Sequence, residues 1–271
     1  MSNVENLIAS RFIARTDVKA VQHRDGSWSP HTDTGKRDGK HIPWSRADLE
    51  AHVSRKKTFG HYLLNQDDQC KLFAFDIDLN DKGVWPEGYT SIEEADKVEP
   101  VEFNPREAWL DRKHPARPWL KWQFKYVASV LMSSIHRTLE IPCAAAYSGG
   151  KGIHVYGFTG LKSATYTREA MQIVLDDVGI FKIKRGKNFY EAKDQDYWTG
   201  LPNLSVETFP KQESLSGGDG LGNLMRLPLG RNLKSNDPTF FIDMTSPVGQ
   251  LAPIDPVFAM TTRTPWRRPG E

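Results

Sequence analysis

Asp76 and Asp78 stand two residues apart in FAFDIDL, and on a strand that spacing puts both carboxylates on one face. Acids so close repel each other, which favours a divalent cation between them. A third acid would let a pair of metal ions sit side by side, as polymerases and nucleases require, and Glu207 in LSVETF is the candidate. Asp243 in FFID rivals it, and Asp81 rivals Asp78 as the second ligand. Phe73 and Phe75 alternate with the polar positions, as in a half-buried strand that carries both acids outward. A calcium loop is a poorer reading of DIDLNDKG. Its sixth position holds Asp81 where a glycine is needed, and a strand rather than a helix precedes it.

A second group lies in AAAYSGGKGIHVYGF, where two strand-like runs enclose SGGKG. Glycines there let backbone amides converge on an anion, and Lys151 adds a charge. Read plainly, the stretch is a hairpin whose Gly149-Gly150 turns the chain. With Ser148 and His154 at its two ends it is also a donor-rich cup. A triphosphate beside metal-binding acids needs such donors, because metal takes some oxygens and amides, lysine and histidine take the rest. Two basic clusters, Lys182/Lys184/Arg185/Lys187 and Arg226/Arg231/Lys234, are solvated surface unless other features recruit them.

These groups meet only if the elements between them bring them together. PWLKWQFKYVASVLMSSIHRTLEI has helical apolar spacing with Pro118 in its first turn, and TREAMQIVLDDVGI reads as a helix from an N-cap at Thr167 to a stop at Gly179. FAFDID, the first helix, CAAAYS, IHVYGF, the second helix and LSVETF then spell β-α-β-β-α-β, the split βαβ of RNA-recognition-like folds. There the first and third strands are central antiparallel neighbours and the fourth flanks the first. Asp76, Asp78, the SGGKG loop, His154 and Glu207 become neighbours at one edge. The expected class is α+β, a catalytic unit with a mixed or antiparallel sheet joined to an N-terminal αβ unit.

That N-terminal unit holds the loop RDGSWSPHTDTGKRDGK and a helix, SRADLEAHVSR, with Ser45 as N-cap and Asp48 at the capping-box position. HYLLNQDDQCKLFAFDIDL reads as two strands around a polar turn. From Asp81 to Pro118 the chain is rich in Pro and charge without clean periodicity, acidic first and then basic, and reads as a long insertion or lid.

At 271 residues, 38% hydrophobic and 26% charged, the chain can bury a sizeable core. The net charge of +2 is too small to imply a polyanion partner by itself. Cys70 and Cys143 lie far apart with no CxxC spacing, so a cysteine-based zinc site is excluded and two buried thiols are expected. The start, MSNVENLIASRF, lacks a signal-peptide pattern and no apolar run could span a bilayer, so a cytoplasmic protein without membrane partners is expected.

FDID, then SGGKGIH, then the acid of VETF in this order and spacing resemble the archaeo-eukaryotic primase (primase-polymerase) superfamily. VETFPKQ followed by GLGNLMRLPLGRNLKSNDPTFF resembles the branch containing phage and helicase-fused primases. The resemblance runs from about Gly60 to Leu79 and from Ala144 to about Asp243. It implies one primase-polymerase domain over 1–271, with an N-terminal αβ unit at 1–72, a catalytic core at 73–245 and a C-terminal extension at 246–271. It implies a template-dependent nucleotidyltransferase that synthesises or extends primers on single-stranded DNA by two-metal phosphoryl transfer. Asp76, Asp78 and Glu207 would be catalytic and hold Mg²⁺ or Mn²⁺. Ser148, Lys151, Gly152, His154 and Arg226 would bind the NTP or dNTP, with Lys211 and Lys234 as weaker candidates. Glu207 departs from the superfamily's usual aspartate, and Arg231-Asn232 stand where relatives often carry a histidine. No helicase motor follows, so a separate replicative helicase is an implied partner. Two rivals remain: a non-catalytic nucleic-acid-binding module and a metal-dependent nuclease.

Overall fold

The computed structural model describes residues 3–36, 38–182, 189–192, 203–215, 220–247 and 249–262. The basic residues Lys184, Arg185 and Lys187 lie outside the described residues.

The N-terminal part runs α1 (Asn3–Phe12), β1 (Ala20–Gln22), β2 (Trp28–Pro30), α2 (Arg46–Val53), β3 (Phe59–Tyr62) and β4 (Gln69–Cys70). Helix α2 begins as the sequence indicates. Ser45 Oγ accepts from the Asp48 amide while the Asp48 carboxylate accepts from the Ser45 amide, so two free donors are satisfied reciprocally. Next come β5 (Phe73–Leu79), β6 (Gly83–Trp85), β7 (Val101–Phe103), α3 (Pro105–Leu110), α4 (Arg117–Leu139), β8 (Cys143–Tyr147) and β9 (Gly152–Gly157). The remainder is β10 (Lys162–Ser163), α5 (Ala164–Val178), β11 (Ile180–Lys182), β12 (Phe189–Ala192), β13 (Leu204–Phe209), β14 (Leu224–Arg226), β15 (Phe240–Phe241) and α6 (Pro256–Thr261).

A seven-stranded antiparallel sheet in the order β11-β12-β13-β5-β9-β8-β15 dominates the α+β fold. Its inner four strands carry the expected split βαβ order, with β5 and β9 as antiparallel neighbours and β13 flanking β5. Helix α4 connects β5 to β8 and α5 connects β9 to the strands beyond, and both pack on one face of the sheet. Phe73, Phe75, Ile77 and Leu79 of β5 bury against Phe124, Val127, Leu131, Val174 and Leu175 of these helices. Full burial of each such side chain contributes about 1.5–3 kcal/mol, so this layer fixes the strand register.

The opposite face meets helices α1 and α6. Ala74, Ala144, Ala146, Tyr156, Phe158 and Phe241 cluster with Ile8, Phe12 and Met260. A four-stranded sheet, β14-β3-β1-β2, adjoins this cluster, and β14 joins it between β13 and β15 of the larger sheet. The N-terminal sheet is therefore built from both ends of the chain.

Two local expectations change. Helix α5 starts at an N-cap Ser163, whose hydroxyl accepts from the Tyr166 amide, and Thr167 lies one turn inside with its own hydroxyl donating to the Ser163 carbonyl. Both residues are good cap formers, and the pairing of β10 with β4 anchors the earlier one. Of the two readings of the segment after Asp81, an insertion or a lid, the structure shows a packed insertion. Its hairpin β6–β7 and helix α3 insert Trp85, Ala108 and Trp109 into the main core. Cys70 is buried as expected, whereas Cys143 is only partly covered.

Candidate active site

Strand β5 carries its acids on the face that the helices do not cover. The register sets Glu207 of β13 directly opposite Asp76 on one side and His154 of β9 opposite it on the other. Ser205 and Gly152 flank Asp78 in the same way. Directly opposed residues share a face, so Glu207, Asp76 and His154 form a row across three strands with Asp78 one step beyond.

Gly152 is demanded by Asp78. A Cβ at 152 would collide with Asp78 Oδ1 and come within 2.6 Å of the Ile77 carbonyl oxygen. The Asp78 carboxylate thus lies over bare backbone at the exit of SGGKG. Within that loop Gly149 has φ +73°, and a Cβ there would come within 2.9 Å of Asn232 Cβ. The Ser148 amide and hydroxyl both donate to the Gly152 carbonyl, at 3.1 and 2.8 Å. Trp109 Nε1 and the Tyr147 hydroxyl donate to the Gly150 carbonyl, at 2.7 and 2.9 Å, and the Ser235 hydroxyl donates to that of Gly149.

Loop and acids open into one cleft of about 680 Å³. Asp76, Asp78, Ser148, Lys151, His154, Arg226 and Lys234 all line it. Lys151 Nζ lies 3.1 Å from Asp78 Oδ2, and the Arg226 guanidinium donates to the Ser148 carbonyl. His154 Nε2 is 3.4 Å from Asp76 Oδ1, while its Nδ1 is 2.8 Å from the Tyr156 hydroxyl. Burial, then the positive charge of Arg226, pushes the His154 imidazole down to about 3, so it is neutral at neutral pH. Its two ring nitrogens thus face the Tyr156 hydroxyl on one side and Asp76 on the other.

Asp76 is the electrostatic centre. Burial first, then the charges of Asp78 and Glu207, raise its carboxyl well above the ordinary aspartate value, against the opposing pull of Lys151 and Arg226. This is a desolvated acid flanked by like charge, and its oxygens are hard donors of the kind Mg²⁺ and Mn²⁺ accept. The donor chemistry therefore fits a divalent ion. The side chains do not yet converge on one, since no three carboxylate, imidazole or thiol groups among the described residues stand at metal-holding distance. Asp78 turns to Lys151, and Glu207 turns to Lys211, whose ammonium also lies 4.6 Å from the centre of the Phe209 ring.

Three candidates stand apart from this group. Asp243 caps an exposed turn through the Thr245 amide and hydroxyl, and those hydrogen bonds hold its carboxyl below the usual range. Asp81 pairs with Arg106 and does not line the cleft. Lys211 pairs with Glu207, and neither of these two side chains lines the cleft. Asn232 lines the cleft, where its carboxamide accepts from Gln22 at 3.3 Å and its backbone amide donates to the Asp237 carbonyl at 2.9 Å.

Other lining residues carried no sequence motif. Trp28 enters from β2, Trp109 and Arg112 from α3 and its exit, Arg117 from the start of α4, and Asp237 from the loop before β15. The one available signal was a tryptophan isolated in the Gly/Ser-rich stretch RDGSWSP, which has no apolar pattern to explain it.

The α+β fold is the one expected of a primase-like nucleotidyltransferase superfamily domain. The chain belongs to the family described as the archaeo-eukaryotic primase domain of the TOTE conflict system, whose model matches residues 5–252. No curated protein matches it. No helix among the described residues is long and apolar enough to cross a membrane.

Proposed function

We propose that the protein is a template-dependent nucleotidyltransferase that makes or extends primers on single-stranded DNA. The observation that carries this reading is the junction of Asp78 and Gly152, where the acid pair and the glycine loop share one cleft. Asp76, Asp78 and Glu207 would hold Mg²⁺ or Mn²⁺. The chemistry such an ion supplies when bound is Lewis-acid polarisation of phosphoryl oxygens and a lowered pKa for the attacking 3′-hydroxyl.

The chain's own residues do the rest. Lys151, 3.1 Å from Asp78, is poised to exchange that carboxylate for a phosphate oxygen. Arg226 sets a guanidinium beside the loop and compensates the acids and the triphosphate in turn. His154, neutral and fixed by Tyr156, orients Asp76 without adding charge. The partners in this reading are nucleoside triphosphates, a single-stranded template and a replicative helicase.

The test is extension of a labelled strand on a single-stranded template, with NTP or dNTP pools, Mg²⁺ or Mn²⁺, and with or without primer. Nucleotide-dependent growth is the expected result. Shortening of the template without growth would identify a nuclease, and binding without either would identify a passive module.

A further inference from the structure

We infer that Trp28 is a positioning residue for Arg226, and that the N-terminal sheet thereby sets the phosphate-binding end of the cleft. The inference rests on the proposed nucleotide site and names a component that none of its motifs contains.

Arg226 ends β14 and pairs with Gly60 of β3, so it belongs to the N-terminal sheet while its guanidinium donates to the Ser148 carbonyl of the other. A long cation bridging two sheets needs a support along its length. Trp28 supplies one: the guanidinium carbon lies 5.5 Å from the centre of the indole ring, within cation–π range. Burial lowers the Arg226 pKa, and its Nε is buried without a hydrogen-bond partner. A planar ring face suits such a group, since it attracts the cation without capturing the donors that a ligand needs.

The backbone is shaped for this stack. A Cβ at position 60 would come within 3.0 Å of Trp28 Cζ3 and 2.8 Å of the Met225 carbonyl oxygen. Gly60 therefore lets the indole lie against β3, next to the strand that carries Arg226. The β1–β2 turn is fixed as well, because Gly26, at φ +89°, packs under the aliphatic stem of Lys234. Trp28 and Lys234 both line the cleft. The chain from Trp28 through Arg226 to Ser148 is thus one rigid path from the edge of the N-terminal sheet to SGGKG.

The experiment measures nucleotide affinity with Mn²⁺ for Trp28→Ala, Trp28→Phe, Arg226→Ala and the double variant Trp28→Ala/Arg226→Ala, with melting temperature and single-stranded DNA affinity alongside. Trp28→Ala should weaken nucleotide binding by about tenfold and Trp28→Phe by no more than about threefold, because a phenyl face keeps part of the attraction. In the Arg226→Ala background, Trp28→Ala should add nothing. Independent losses in the double variant, or a silent Trp28→Ala, would overturn the inference. A second readout does not depend on nucleotide: the rate at which an arginine-selective dicarbonyl modifies Arg226, mapped by peptide mass. Trp28→Ala should raise that rate several-fold, and an unchanged rate overturns the inference. Wild-type protein that binds no nucleotide defeats the functional reading instead, and the modification rate still decides the role of Trp28.

Discussion

The two faces of β5 are made by alternate residues of one seven-residue strand, and they differ in almost every physical respect. Phe73, Phe75, Ile77 and Leu79 are fully buried under two helices. Ala74, Asp76 and Asp78 face the other way, where the N-terminal part covers Ala74 and leaves the acids at a cleft. One face is optimised for packing. The other keeps like charges together at the expense of stability, as the raised Asp76 carboxyl records. The strand can hold that second arrangement because the first anchors its register, since a one-residue slip would exchange the two faces.

The largest effect expected is on the charged face. Asp76→Asn should reduce nucleotide addition by roughly 10³-fold or more. The same substitution should raise the melting temperature of metal-free protein at neutral pH, because the folded state binds a proton at Asp76 more readily than the unfolded chain does. Above its folded pKa, ionised Asp76 therefore weighs against the fold. Metal should then stabilise wild type more than the variant. A variant that melts lower than wild type without metal would break the comparison.

Gly152→Ala should come next, since its Cβ collides with Asp78 and presses on the Ile77 carbonyl. Extension assays should show a loss of about a hundredfold, with a fold that melts lower but remains cooperative. Glu207→Gln should lower metal-dependent turnover by about tenfold, while Asp243→Asn should leave it within about twofold, because Asp243 only caps a turn. The reverse order would show that the row across β13, β5 and β9 is not the acid set.

Acid should also act through the open-face side. His52, His61 and His154 are buried, and all belong to that side or to the N-terminal part that covers it. Burial pushes His52 down to about 4 and His61 down to about 3. Between 6.5 and these values the unfolded chain holds more protons, so stability falls as pH falls. At pH 5 the loss should be about 2 kcal/mol for His52 relative to pH 8, and His52→Asn should flatten the profile in urea titrations by that amount. The smallest effect belongs to the packed face: Ile77→Val should cost about 1 kcal/mol of stability and leave nucleotide affinity unchanged.

Much of this arrangement was legible because the sheet translates sequence into space by simple rules. Period-two alternation in FAFDIDL separated the two faces, and the β-α-β-β-α-β order set Glu207 and His154 beside Asp76. The cleft walls were not legible, for a physical reason. Trp28, Trp109, Arg117 and Asp237 come from segments without periodicity, and contacts distant in sequence place them. Trp109 sits in the stretch read as an insertion or lid, and its indole packs in the core and holds the Gly150 carbonyl. The partners of Asp243 and Asp81 were equally hidden, since an acid in a turn looks the same in sequence whether it binds a ligand or caps the chain.

The loop SGGKG is held from both sides before anything enters the cleft, with Ser235 on one carbonyl and Trp109 and Tyr147 on the next. In thermodynamic terms, the loop has already given up its conformational freedom during folding. In the proposed role, an anion arriving there would gather its contacts without ordering the backbone, so little of the binding free energy would be spent on entropy. Such a receptor discriminates by shape, because it cannot relax around an ion whose oxygens are spaced differently. The same rigidity carries a kinetic corollary. If Lys151 and Arg226 hold the phosphates as proposed, exchange of nucleotide would be governed by how fast they release phosphate, and not by any opening of the loop.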